Sequence, residues 1–198
     1  MYATAGGMGR MEYVFAEGGG ASVEVRGEVD VLGDAVLQRR MLVQSVLVLA
    51  LGLALSLVAA AFGGWTIFRD GWAVLWTVLV MMACFAVHEL VHALFFLIMS
   101  HGKCHISFGA AAGFLYTRTD DCMLPKGLFI CVLLAPTVLV TAGIVAAGFA
   151  LSFPAESLIV AAVHLSGCVG DWDMAKAIAT TPHVTHVKDS ETGCILLG

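Results

Sequence analysis

Four long apolar spans, at approximately 41–62, 72–100, 127–150 and 156–179, constrain this chain more than any other feature. Each is long enough to cross about 30 Å of hydrocarbon at about 1.5 Å per residue. Lipid offers no hydrogen-bond partner, so the backbone of each span must satisfy itself, and helices do this. The composition agrees: 60% of residues are hydrophobic and 13% charged, against a charged share of about 25% in soluble domains. The expected fold class is an all-α polytopic membrane protein with about four transmembrane helices, in contact with the lipid bilayer.

The flanking segments read differently. Over Ala21–Val31, Val23, Val25, Val29 and Val31 alternate with Glu24, Arg26, Glu28 and Asp30, which is strand spacing. Gly18, Gly19 and Gly20 join this run to Met11–Glu17, so two readings stand for the N-terminal segment: a polar β-hairpin or disorder. The expected organisation is a polar cytoplasmic segment over 1–40, a membrane-embedded core over 41–179 and a cytoplasmic tail over 180–198. No cleavable leader is expected, because the first apolar run begins only near Met41.

Charge placement orients the spans. With the N-terminus inside, the inner segments hold Arg10, Arg26, Arg39, Arg40, Lys103, Arg118, Lys126, Lys176 and Lys188, and the outer ones hold Arg69 alone. Nine against one obeys the positive-inside rule and puts both termini in the cytoplasm, in a bacterial cytoplasmic membrane by expectation. No basic patch with interleaved aromatics is present, so nucleic acid is not an expected partner. The six cysteines, Cys84, Cys104, Cys122, Cys131, Cys168 and Cys194, lack C-x-x-C spacing and are expected to be reduced thiols.

The second span carries His88-Glu89-Leu90-Val91-His92. Random order of this composition yields His-Glu-x-x-His roughly 0.009 times per chain, so chance is a poor explanation. Ionisable groups at mid-membrane cost about 2.5–3.5 kcal/mol each unless paired or wetted, and three within five positions want a common partner. On a helix His88 and His92 share a face and can offer two imidazoles to one Zn²⁺, with Glu89 beside them as a general base for a metal-activated water.

A catalytic zinc takes three protein ligands. Position 98 is Ile, which excludes a third His six residues past His92, and Glu156 belongs at the opposite membrane face. Spans two and four run in the same direction, and His88 and Asp171 both lie roughly 22–24 Å along them. Asp171 is therefore the expected third ligand, ahead of Asp173, which points about 200° around the helix. His164 is two turns before Asp171 on the same face; it is expected either to orient a ligand or stabilise the transition state, or to serve plain packing. Cys84 and Cys168 are read mainly as packing residues.

Taken with Leu134-Ala135-Pro136, Gly170-Asp171 and the tail Asp189-Ser190-Glu191-Thr192-Gly193, the motif resembles the bacterial putative zincin peptidases related to site-2 proteases. The resemblance covers roughly residues 75–195. It implies an intramembrane zinc metalloendopeptidase with His88 and His92 as ligands, Asp171 as third ligand and Glu89 as base, acting on a membrane-protein or peptide substrate. The chain departs from better-studied site-2 proteases in having Val169-Gly170-Asp171-Trp172 where those carry Asn-Pro-Asp-Gly or Leu-Asp-Gly. The alternative function is a non-catalytic metal-binding membrane protein, a transporter or sensor. Pro136 is expected to kink the third span. Lys103–Thr119, too short to cross the membrane, is expected to form either a short hairpin beside the site or an irregular loop. The oligomeric state is not specified by these patterns.

Overall fold

The computed structural model describes residues 2–6, 10–14, 22–31, 33–111, 114–120, 122–190 and 192–198. Three short strands, β1 (Tyr2–Gly6), β2 (Arg10–Val14) and β3 (Ser22–Asp30), precede the helices. The expected N-terminal hairpin is present as β2 antiparallel to β3; its glycine turn lies outside the described residues.

Helix α1 (Ala35–Gly63) starts where Asp34 accepts hydrogen bonds from the N–H groups of Val36 and Leu37. It ends where Gly64 turns into the left-handed region at φ 64°. Helix α2 (Gly71–Met99) is capped in the same way by Asp70, whose side chain accepts from the Ala73 N–H at 2.8 Å. A hairpin of β4 (His105–Ala111) and β5 (Phe114–Asp120) follows, then the short β6 (Met123–Pro125) and α3 (Lys126–Ala150). Pro136 stands inside α3, which continues on both sides of it as one helix.

The fourth span departs from expectation. It is two helices, α4 (Pro154–Gly167) and α5 (Val169–Thr180), bent by 45° at Cys168. The run Gly167-Cys168-Val169-Gly170 explains the break, because glycine is a poor helix former and two of them flank it. Gly167 also has to be small: a Cβ there would come within 2.8 Å of the Phe85 ring.

Helices α1, α2 and α3 are each long and apolar enough to cross a membrane, and the bent pair makes a fourth candidate. Their outer faces leave Leu47, Leu51, Leu55, Trp76 and Val138 uncovered, a surface suited to lipid rather than water. Helix α4 packs against α1 at Gly52, where a Cβ would meet that of Ala162 at 2.7 Å, a small-to-small approach typical of helices in lipid.

After α5 the chain adds β7 (His186–Asp189) and β8 (Gly193–Leu197). These pair with β3 and β6 to complete an antiparallel sheet in the order β1-β2-β3-β8-β7-β6, so the polar segments at the two ends of the chain fold together. The main core joins this sheet to the helix ends: Phe96 of α2, Phe129, Val132 and Leu133 of α3 and Ile178 of α5 pack with Leu124, Val187, Cys194 and Leu196. Phe96 and Phe129 meet edge to face at 5.6 Å.

One expectation about cysteine is corrected. Cys104 and Cys122 form a disulfide, with Cα atoms 5.0 Å apart, while Cys84, Cys131, Cys168 and Cys194 are free. Their 18-residue separation resembles no motif, but the hairpin reverses the chain between them and brings its two ends together. A second pin holds the hairpin's return strand. Asp189 of β7 accepts from the backbone N–H of Thr119 at 2.8 Å and from its hydroxyl at 3.0 Å. Burial pushes the Asp189 carboxyl up to about 6, against the opposing pull of the Thr119 hydrogen bonds.

Candidate metal centre

Helix α2 presents Cys84, His88, His92 and Phe96 along one buried face, at the four-residue spacing expected of a helix turned toward its neighbours. The bend at Cys168 brings Asp171 opposite them. It stands in the first turn of α5, where the positive end of the helix dipole favours a carboxylate. His88 Nε2 lies 3.2 Å from Asp171 Oδ2, His92 Nε2 lies 3.6 Å from Asp171 Oδ1, and the two Nε2 atoms are 3.0 Å apart. Ligands bound at about 2.0–2.1 Å around a tetrahedral zinc stand roughly 3.3 Å from one another, so the three donors have the right separation.

Hydrogen bonding on the far side of each ring shows what the triangle lacks. His92 Nδ1 is 3.0 Å from the carbonyl oxygen of Val132, which can only accept, so Nδ1 carries the proton and Nε2 the lone pair. His88 Nδ1 is 3.1 Å from His164 Nε2, and His164 Nδ1 is 3.0 Å from the Thr141 hydroxyl. In the tautomer in which His164 Nδ1–H donates to the Thr141 hydroxyl, His164 Nε2 accepts from His88 Nδ1–H and the His88 Nε2 lone pair is free for a metal; the hydroxyl, which can donate as well as accept, also permits the opposite chain. In the first tautomer two imidazole lone pairs and the half-buried Asp171 carboxylate converge on one point between α2 and α5. That arrangement is costly unless a cation occupies it, and the donor set of two nitrogens and one carboxylate suits zinc.

Over half of the chain, residues 78–185, matches the model of a family described as putative zincin peptidase. The chain belongs to that family. A zincin takes zinc as its cofactor, and membership supports a zinc metallopeptidase. No curated protein and no solved structure matches the chain.

The other expected residues fall as follows in this zincin-family chain. Glu89 is on α2 beside the two histidines, half-buried, and its Oε2 accepts a 2.8 Å hydrogen bond from the Thr117 hydroxyl of β5. The same hydroxyl is 2.9 Å from the Glu89 carbonyl oxygen. Asp173 is buried and turned away from the histidines, paired with Arg40 of α1 at 3.1 Å. Glu156 is buried in the first turn of α4, at the far end of the bent pair, and accepts from the Phe68 N–H at 3.2 Å. Cys84 packs with Val140 and Val160, away from the donor triangle. Cys168 lies 3.9 Å from His88 Nδ1 and 3.8 Å from His164 Nε2, close enough to line the His88–His164 contact.

Thr117, Thr141 and the Val132 carbonyl carry no sign of this involvement in the sequence. Each meets a site residue across a helix–helix or helix–strand contact, which periodicity within one element cannot report. Only Pro136, four residues after Val132, marks the carbonyl as unusual.

Proposed function

We propose that this chain is a membrane-embedded zinc endopeptidase of the site-2 protease type, cutting a membrane-protein or peptide substrate near the cytoplasmic face. His88, His92 and Asp171 hold the metal, and Glu89 acts as the general base. The observation that carries this reading is the convergence of His88 Nε2, His92 Nε2 and the Asp171 carboxylate within metal-ligand distance of one another. Zinc, when bound there, polarises the scissile carbonyl and lowers the pKa of water toward about 7.

The chain's own residues do the rest. Glu89 takes the proton of the attacking water and returns it to the leaving amine. Thr117 engages its Oε2 and so restricts the carboxylate's rotation, leaving Oε1 for the reacting water. His88 Nδ1–H donates to His164 Nε2, 3.1 Å away, and this orientation turns the His88 Nε2 lone pair to the metal. The β4–β5 hairpin adjoins Glu89 through Thr117, which suits it to hold an extended substrate by backbone pairing; an intact helix hides its peptide bonds. Orientation toward the cytoplasm is supported by the nine-to-one distribution of Lys and Arg across the spans.

Glu89→Gln tests the assignment against a transporter or sensor. The variant should retain zinc while cleavage of a membrane-embedded reporter peptide falls about 10²–10⁴-fold. Retained cleavage removes Glu89 as the base.

A further inference from the structure

Pro136 is fully buried in the middle of α3, where any other residue would send its N–H to the carbonyl four positions earlier, that of Val132. Proline has no N–H, and its ring presses against that same carbonyl. Val132 is itself 0% exposed, so water does not supply the missing partner. The partner is His92, whose Nδ1 lies 3.0 Å from Val132 O.

We infer that Pro136 is a positioning residue for the metal centre: by leaving the Val132 carbonyl without a helical donor, it reserves that acceptor for His92 and so fixes the ring's tautomer and direction. The inference rests on His92 being a metal ligand. It also explains why the two histidines are held by different means. His88 is oriented by a side chain, His164, reaching from α4, whereas His92 faces α3, which offers it main chain. A helix carbonyl is normally taken by the N–H four residues on, so a side-chain donor that reaches it must share the oxygen; Pro136 leaves Val132 O free of that bond. A proline at the fourth position after Val132 is the simplest covalent way to release one.

The geometry yields opposite signs for stability and for metal binding. Pro136→Ala restores a helical hydrogen bond and removes the ring clash, which favours α3. The restored Ala N–H competes with His92 for Val132 O, which disfavours the ligand orientation. A residue that merely bends the helix or fills space would move both quantities in the same direction.

The test uses the full chain in detergent micelles, with the zinc dissociation constant read by competition against a chromophoric chelator. Pro136→Ala should melt no lower than the wild type yet bind zinc about tenfold more weakly. The visible spectrum of the Co²⁺-loaded variant should shift with the changed ligand direction. In a His92→Cys background the same substitution should leave zinc affinity unchanged, because sulfur has no second nitrogen to orient. Pro136→Ser, which also restores the N–H, should repeat the result and serves if the alanine variant fails to fold. Unchanged zinc affinity and an unchanged Co²⁺ spectrum overturn the inference. So does an equal loss of affinity with Cys at position 92, which would assign Pro136 to general helix geometry. A wild-type chain that binds no zinc at all would instead overturn the ligand set on which the inference depends.

Discussion

The two helices of the bent pair α4–α5 each carry a carboxylate in the first turn, and they partner it in opposite ways. Glu156, in the first turn of α4, accepts a hydrogen bond from the Phe68 N–H, so the protein itself supplies the donor. Asp171, in the first turn of α5, faces the Nε2 atoms of His88 and His92 at 3.2 and 3.6 Å, a set of atoms that a metal cation can share. Asp173, two residues on, again finds a donor, in Arg40. Three acidic groups in one span thus divide by partner type. Burial of a carboxylate says little about function; its position beside two imidazole nitrogens at metal-ligand separation says more.

The contrast is sharpest if Asp171 is removed. Asp171→Ala should lower zinc affinity about 100-fold or more, measured by metal analysis after dialysis against a chelator. Asp173→Asn should leave zinc bound and cost about 1 kcal/mol of stability, a small figure because the Arg40 side chain is 58% exposed. If Asp173→Asn loses the metal and Asp171→Ala keeps it, the division is wrong. At the far end, Glu156→Leu should leave zinc affinity unchanged and cost about 1–3 kcal/mol by depriving the Phe68 N–H of its acceptor, read as a lower melting temperature.

The smallest effect concerns Asp189, a carboxylate with donors that burial still holds at about 6, above its ordinary value of 3.8. The folded state binds this proton more tightly than the unfolded chain does. Its contribution to stability is therefore fully present below about pH 4 and is lost as pH rises through about 6. The melting temperature should fall by a few degrees over that window, at about 2–4 °C per kcal/mol for a chain of this size. Asp189→Asn should remove that part of the pH dependence; an identical profile in the variant would deny that burial raises this carboxyl.

Much of the site was legible because two of its residues share one helical turn. His88, Glu89 and His92 announce themselves by spacing, and the common direction of two spans brings Asp171 to their depth. The fourth span read as one helix because hydropathy does not register a bend; the glycines flanking Cys168 were the only trace of it. The Cys104–Cys122 bond was missed for a related reason. Cysteine spacing encodes local motifs, whereas this pair is joined by a hairpin whose strands bring distant positions together.

What the sequence specified by itself is therefore the long apolar helices and the candidate donors His88 and His92 on one of them, because a helix repeats every 3.6 residues; the all-α expectation missed the six-stranded sheet that the two polar ends build together. The tertiary structure decided which carboxylate meets the histidines, what each imidazole's other nitrogen faces, and what holds Glu89 in place. Those outcomes depend on contacts between elements, His164 with His88, Val132 with His92 and Thr117 with Glu89. Periodicity describes the face of one element, and only packing determines what that face meets.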